Sequence, residues 1–223
     1  MLNQFSNLSC YEEFEIQCTL TGISKIDILK EIGHQIDNYY FFISNDGIFN
    51  WFDLNGNHIE YPGVLKKIKC EYISRTITKC IIPNGVISID DYVFADCYSL
   101  NEVIIPDSVI YIGRYTFASC YSLNEITIPN SVIRIDDNAF YGCTSLKEVI
   151  IPDSIASIGF EAFHWCTALT SVTISRNVKD INFNAFLRCK SLKEVIFKGK
   201  TLEEVKQMKN YPFGKYENVF KFS

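Results

Sequence analysis

Histidine is scarce in this sequence. It occurs only as His34, His58 and His164, far apart in the chain, which disfavours catalysis by clustered histidines. Basic charge is also short: Lys and Arg total 21 against 26 Asp and Glu, a net charge of -5. Non-specific nucleic-acid binding needs clustered Lys and Arg to displace counterions. The acidic balance argues against it and leaves basic protein partners open. No apolar run reaches the roughly 20 residues that span a bilayer. The start, Met1-Leu2-Asn3-Gln4-Phe5-Ser6, has no basic n-region and no apolar h-region. No lipidation motif closes the chain at Phe220-Lys221-Phe222-Ser223. The expectation is a soluble cytoplasmic protein without a membrane partner.

What the chain does have is apolar mass and cysteine. Of its 223 residues 48% are hydrophobic and 21% charged, enough for a buried core in one elongated domain or two small ones. Nine cysteines is a high count, and an odd one. A complete intramolecular disulfide framework is therefore excluded.

Five of these cysteines, Cys97, Cys120, Cys143, Cys166 and Cys189, lie 23 residues apart. Phe94, Phe117, Phe140, Phe163 and Phe186 keep the same step. So do Leu100, Leu123, Leu146, Leu169 and Leu192, and Ile89, Ile112, Ile135, Ile158 and Ile181. Pro83, Pro106, Pro129 and Pro152 follow it until Ser175 takes the place of proline. One unit reads Ser99-Leu100-Asn101-Glu102-Val103-Ile104-Ile105-Pro106-Asp107-Ser108-Val109, then Ile112-Gly113 and Phe117. Its Leu-x-x-Val-x-Ile portion predicts a short strand. Side chains alternate, so Leu100, Val103 and Ile105 point inward and Glu102 and Ile104 outward. A unit this short cannot bury its own apolar face, so neighbours must stack into a solenoid.

The pattern Ile-Pro-x-Ser-Val-x-x-Ile-Gly/Asp-x-x-Ala-Phe-x-x-Cys-x-Ser-Leu-x-Glu-Val resembles the BspA-like, Treponema pallidum-type leucine-rich repeat, from about Ile82 to Phe197. The resemblance implies a leucine-rich-repeat solenoid of short parallel strands with an irregular or 3₁₀-like outer side. Five repeats fill residues 82–197, after a degenerate capping repeat over 62–81 into which Ile77 and Cys80 fit. Residues 198–223 form a carboxy-terminal cap. There Thr201 and Glu204 have the spacing of a capping box for a short helix.

Residues 1–61 do not repeat and predict a small α/β unit. Glu13 to Leu20 alternates and reads as a strand. Ser24 to Asp37 carries Ile26, Leu29, Ile32 and Ile36 at helical spacing behind Ser24 as N-cap. Tyr39–Ser44 and Ile48–Asp53 flank Asn45-Asp46-Gly47, a hairpin signal, and Asn55-Gly56-Asn57 leads to a further strand. Either the unit caps the solenoid and hides its first edge, or it is a recognition module. In the second reading Tyr39, Tyr40, Phe41, Phe42, Phe49, Trp51 and Phe52 are partly exposed.

The cysteine column is close enough for bridges, since rungs lie about 4.8 Å apart. Stacked identical positions project their Cβ bonds in parallel, however, and a straight ladder does not converge on a tetrahedral zinc. The thiols are expected to pack as small buried groups, with Cys80 among the core and Cys10, Cys18 and Cys70 unplaced. The phenylalanine column is expected to be a packed spine, and His164 a variable outer-side residue without a catalytic partner. No metal, cofactor or catalytic residue is expected.

The outward strand positions are not set by core packing. One column holds Glu102, Glu125, Glu148 and Glu194, interrupted by Ser171. The next holds Ile104, Thr127, Ile150, Thr173 and Ile196. Stacked carboxylates repel by roughly 1 kcal/mol per pair in water, which Lys147 and Lys193 can relieve. The strip is either a solvated face set by the repeat or a docking site for a basic, partly apolar protein surface. The lysines disfavour a calcium ladder. The strip offers on the order of 400 Å², against about 800 Å² per partner in a stable interface. Help from the amino-terminal segment or a flank is therefore required. The resulting expectation is a non-catalytic, monomeric binder or inhibitor of a cytosolic protein. The resemblance implies as an alternative a surface adhesin for host matrix proteins, because BspA-like proteins are known mainly as binding proteins of this kind. An amino-terminal enzyme is a further alternative.

Overall fold

The computed structural model describes residues 11–211, 213 and 217–223. The chain begins with two helices, Tyr11–Thr21 and Lys25–Ile32. The first corrects the strand expected at Glu13–Leu20. Its buried residues are Phe14 and Cys18, while Ile16 and Leu20 are exposed. Positions four apart share a face in both a strand and a helix, but a strand would also put Ile16 and Leu20 on the buried face, and their exposure settles the helical period. Gly22, at φ +66°, donates its N–H to the Cys18 carbonyl and ends this helix.

The second helix starts where expected, with Ser24 Oγ accepting from the Asp27 N–H. It stops at Ile32, short of the expected Asp37. Gly33 is extended there, and its N–H bonds the Leu29 carbonyl at 3.0 Å. Residues His34–Ile36 instead form a strand antiparallel to Tyr39–Ile43. Tyr39–Ile43 pairs with Phe49–Asp53, and that strand with His58–Ile59.

This four-stranded sheet is buried on both faces. Phe41, Phe49 and Trp51 join the solenoid core. Tyr40, Phe42 and Phe52 pack with Phe14, Ile28 and Leu29 under the helices. Tyr40, Phe42, Phe49 and Trp51 are thus core residues, at 9%, 5%, 8% and 1% exposure, contrary to the partly exposed recognition set. Aromatics in excess of one face supply a second buried face. The hairpin tip also docks on the solenoid. A Cβ at Gly47 would lie 2.6 Å from the Lys79 carbonyl oxygen, and the Gly47 carbonyl accepts from Ile81 N–H at 2.8 Å.

The repeats stack as a parallel β-solenoid. Along one side run Lys79–Ile81, Glu102–Ile104, Glu148–Ile151, Ser171–Ile174 and Glu194–Phe197, with every paired strand one repeat apart and in register. The outer side is more ordered than an irregular arc. It carries a second ladder of two-residue strands at Lys67–Ile68, Ser88–Ile89, Tyr111–Ile112, Ser157–Ile158 and Asp180–Ile181. Single bridges through Ile135 connect its two halves. Turns complete each coil, and the described 3₁₀ segments, Cys70–Tyr72 and Glu217–Val219, lie outside the five repeats.

The inward columns are fully packed. Neighbouring rings from Phe94 to Phe186 stack with centroids 5.1 to 5.6 Å apart. All five repeat cysteines are buried, as are Cys18 and Cys80, while Cys70 is exposed and Cys10 lies outside the described residues. The thiols also bond: Cys120, Cys143, Cys166 and Cys189 donate to the carbonyls of Phe94, Phe117, Phe140 and Phe163 at 3.1 to 3.2 Å. At the carboxy end the helix Leu202–Lys206 carries the Thr201–Glu204 capping box and buries Val205. The strand Phe220–Phe222 then adds one more parallel rung beside Glu194–Phe197.

Candidate functional site

The concave side gathers most of the outward residues singled out in the sequence. Alternation along each rung drives the valine and isoleucine columns into the core and leaves glutamate and isoleucine or threonine facing out. Ile104 is 44% exposed and Ile150 65% exposed. Glu125, Thr127 and Glu148 are exposed, and Glu102 and Thr173 half-buried. These residues line one groove of about 700 Å³, together with Asn130, Asp153, Ser175 and Lys198. Glu194 faces outward one rung beyond Ser171 and does not line it.

The groove is acidic. Its walls carry Glu102, Glu125, Glu148 and Asp153 against Lys198 alone, an excess of three negative charges. Lys79 Nζ offsets part of this from outside, 3.0 Å from a Glu102 oxygen. Among the described residues Glu125, Glu148 and Asp153 form no ion pair, and Lys147 and Lys193 reach no carboxylate.

Two features of the groove had no counterpart in the repeat pattern. The first is a break in the strand ladder at 125–128, between the paired rungs Glu102–Ile104 and Glu148–Ile151. The second is Ser175 at the end of the proline column. It is 3% exposed, and its hydroxyl has no hydrogen-bond partner among the described residues. A serine in a column of prolines was the visible signal for the second. The first had only Ile126, which stands where neighbouring rungs have Val103, Val149, Val172 and Val195.

Elsewhere, His164 is buried on the outer side, edge-on to Tyr141 and with Nδ1 3.2 Å from a Glu161 carboxylate oxygen. Beside it Trp165 lies under the Arg188 guanidinium at 4.8 Å from the ring centre. Tyr111 donates to Asp136 at 2.9 Å, and Arg134 holds the same carboxylate at 2.8 Å. Burial, followed by that bond to Asp136, pushes the Tyr111 phenol up to about 12. Among the described residues no group of three or more His, Cys, Asp or Glu is placed to hold a metal ion. No helix among them is long and apolar enough to cross a membrane.

A family model for the BspA type leucine rich repeat region matches residues 66–193 and 110–222, in six copies. A leucine rich cell surface protein from Faecalibacterium prausnitzii is similar over 77% of this chain and 41% of its own, at 27% identity and a TM-score of 0.56. The leucine rich repeat protein of T. pallidum is 32% identical over 56% of this chain and 60% of its own, with a TM-score of 0.53. The pneumococcal vaccine antigen PcpA is 26% identical over 69% of this chain and 36% of its own, with a TM-score of 0.55. The chain thus spans less than two thirds of each of these structures. No curated protein sequence matches it.

Proposed function

The chain belongs to the BspA-type leucine-rich repeat family, and from that premise we propose that it is a non-catalytic protein-binding module whose concave groove takes a basic, partly apolar partner surface. The observation that carries this reading is the pairing of exposed Ile104 and Ile150 with the unpaired carboxylates of Glu125 and Glu148 in one groove. Exposed isoleucines on a rigid sheet contribute nothing to the core, and they gain about 25 cal/mol per Å² when covered. The carboxylates select the sign of the partner and accelerate its approach. The strip alone is on the order of 400 Å², half of what a stable interface needs from each side. Contacts from a solenoid flank complete the interface, since the amino-terminal aromatics are occupied in packing.

The setting supported by the relatives is a bacterial surface one. One relative is described as a leucine rich cell surface protein and another as a vaccine antigen. The adhesin-type reading therefore ranks above the cytosolic inhibitor. The test is surface plasmon resonance on immobilised extracellular-matrix proteins, with the wild type beside Glu125→Lys/Glu148→Lys. Binding by the wild type that is lost in the variant supports the proposal. Equal binding by both removes the site from the groove. If no matrix protein binds, while a defined cytosolic protein captured under reducing conditions is lost by the variant, the inhibitor reading takes over.

A further inference from the structure

Charge is unevenly spread along the chain. Residues 176–223 hold 11 Lys and Arg against 5 Asp and Glu, whereas residues 1–175 hold 10 against 21. An acidic protein thus carries a basic carboxy-terminal part. Some of that positive charge gathers on the ridge where each coil turns toward its concave strand. Arg188 and Lys190 are exposed there. The Arg188 guanidinium lies 4.8 Å and the Lys190 ammonium 5.7 Å from the centre of the Trp165 ring. Neither cation forms an ion pair among the described residues. The carboxylate of Glu161, four residues before Trp165, is engaged by Asn138 at 3.4 Å and faces His164 at 3.2 Å.

Trp165 is foreign to its column. Asp96, Ser119, Gly142, Trp165 and Arg188 occupy the same turn position, and all five have a positive φ, between 59° and 71°. Glycine and short polar residues suit this left-handed conformation, and a bulky residue in it is an outlier. Strain of this kind concentrates at ligand sites. The tryptophan is half-buried, so packing beside His164, nearly parallel at 6.2 Å, uses part of its ring. One coil on, Arg188 covers one face. One coil back, the column holds Gly142, which has no side chain to cover the other. A Cβ at 142 would have atoms of Ser119 and Tyr121 nearest, at 3.8 to 4.0 Å, and none of Trp165. Ser119 and Trp165 are two coils apart, about 9.6 Å, and in that column main chain alone lies between them. The notch has room for one ring at stacking distance from the indole.

We infer that this ridge binds an acidic glycan chain, with one sugar ring on Trp165 over Gly142 and the acidic group of a following sugar at Arg188 and Lys190. A sugar ring offers its C–H groups to an aromatic face and its hydroxyls to the sides, where Thr144 and Thr167 stand in the adjacent column. The two cations follow two coils beyond Gly142, about 9.6 Å, which is the advance of a disaccharide unit. A guanidinium meets a carboxylate or sulfate through a two-pronged hydrogen-bonded fork. Tryptophan and arginine are also the residues in which binding energy concentrates. A single-stranded nucleic acid stacks on aromatics too, but it is held by a basic groove that tracks its backbone. Here two cations flank one ring, and the same column carries Asp96 at its other end. The ridge shares no residue with the concave groove, and its ligand has the opposite charge, so the two sites stand or fall separately.

The probe is a fluorescein-labelled heparin hexasaccharide read by anisotropy, with neutral chitohexaose and an octathymidylate as competitors. The hexasaccharide is expected to bind, chitohexaose to leave it in place, and the octathymidylate to compete at least tenfold more weakly than unlabelled hexasaccharide. Arg188→Ala/Lys190→Ala is expected to weaken binding at least tenfold. Trp165→Leu and Gly142→Asn should each do the same. Asparagine accepts the left-handed conformation, and at 142 it fills the notch without altering a charge or the core. In Trp51→Phe the ring of Trp165 is the one tryptophan left, and its emission should change when unlabelled hexasaccharide binds. Absence of binding overturns the inference. Undiminished binding by both Gly142→Asn and Trp165→Leu overturns it as well, since charge alone would then hold the probe. So does Trp165 emission that stays constant through saturation. An octathymidylate that competes as well as the hexasaccharide overturns the glycan and makes the ridge a nucleic-acid site.

Discussion

The Cys143 thiol donates to the Phe117 carbonyl of the preceding repeat at 3.1 Å, inside a fully buried column. The cysteine column is therefore a set of donors as well as small apolar groups. Each thiol is a second donor to a carbonyl that already accepts a turn N–H, as Phe117 O does from Cys120 N–H at 3.2 Å, and the bond ties one coil to the one before it.

Cys143→Ala removes the donor and the sulfur volume together. It is expected to cost about 1–2 kcal/mol, the sum of a lost buried hydrogen bond and a small cavity. Cys143→Val refills the volume without the donor and should recover only the packing part. Urea unfolding of the three proteins separates the two contributions. Equal stability of Cys143→Val and the wild type would reduce the thiol to a space-filler.

The phenylalanine spine carries more. Phe140 stacks on Phe117 at 5.2 Å and on Phe163 at 5.1 Å, so Phe140→Ala opens a cavity shared by three coils. The expected loss is about 3–5 kcal/mol. Solenoid stability is a sum of repeat and neighbour interactions. Hydrogen exchange should therefore accelerate most in the coils flanking residue 140 and least in the amino-terminal helices.

Trp51 anchors the amino-terminal sheet in the solenoid core. It is 1% exposed, stacks on Phe41 at 4.7 Å and packs on Tyr61 at 5.2 Å. Trp51→Ala is expected to cost about 3–5 kcal/mol. Trp51→Phe should cost far less, because the indole N–H has no hydrogen-bond partner among the described residues. Calorimetry would show whether the amino-terminal unit then melts apart from the repeats. A single unchanged transition for Trp51→Ala would contradict the anchoring role.

Alkaline pH should unfold the protein early. Burial raises the Cys120 and Cys143 thiols well above their ordinary value of 9.0, and Tyr111 is held up at about 12 against an ordinary 10.0. Each group has a folded value above its unfolded one. Its contribution is fully present below the unfolded value and is lost as pH rises through the folded value. Stability should fall from about pH 9 as unfolded thiols ionise, and further between about pH 10 and 12 from Tyr111. Urea midpoints under reducing conditions from pH 8 to 11 measure this. The double variant Cys120→Ala/Cys143→Ala should flatten the first part of the slope, and Tyr111→Phe the second.

The solenoid was legible because its period writes the same physical demand at the same place five times, as in Phe94 to Phe186. The first helix was not, because Phe14 and Cys18 satisfy a two-residue and a 3.6-residue period alike. The burial of Tyr40 and Phe42 was hidden for a related reason: a helical layer misread as a strand leaves one face of a sheet uncovered. The groove was half legible. Glu125 and Thr127 are ordinary for the repeat, and nothing in either signals that their rung leaves the ladder. What the sequence does show at that rung is Ile126 in a column of four valines, a change of volume rather than of pattern.

The Lys79–Glu102 pair offers a last test of what the carboxylates do. Its side chains are 33% and 45% exposed, so the 3.0 Å contact adds little to stability, about 0–1 kcal/mol. Lys79→Ala should leave the urea midpoint nearly unchanged while freeing a further carboxylate at the edge of the groove. If the groove recruits cations, this variant should bind a fluorescein-labelled hexapeptide of alternating lysine and valine faster than the wild type, and Glu125→Gln/Glu148→Gln should bind it slower. Both differences should shrink as salt rises from 0.05 to 0.5 M in the assay, because the Debye length falls below about 5 Å over that range. A Lys79→Ala variant that gains affinity equally at high salt would mean that Lys79 obstructs the groove by its bulk and that its charge is incidental.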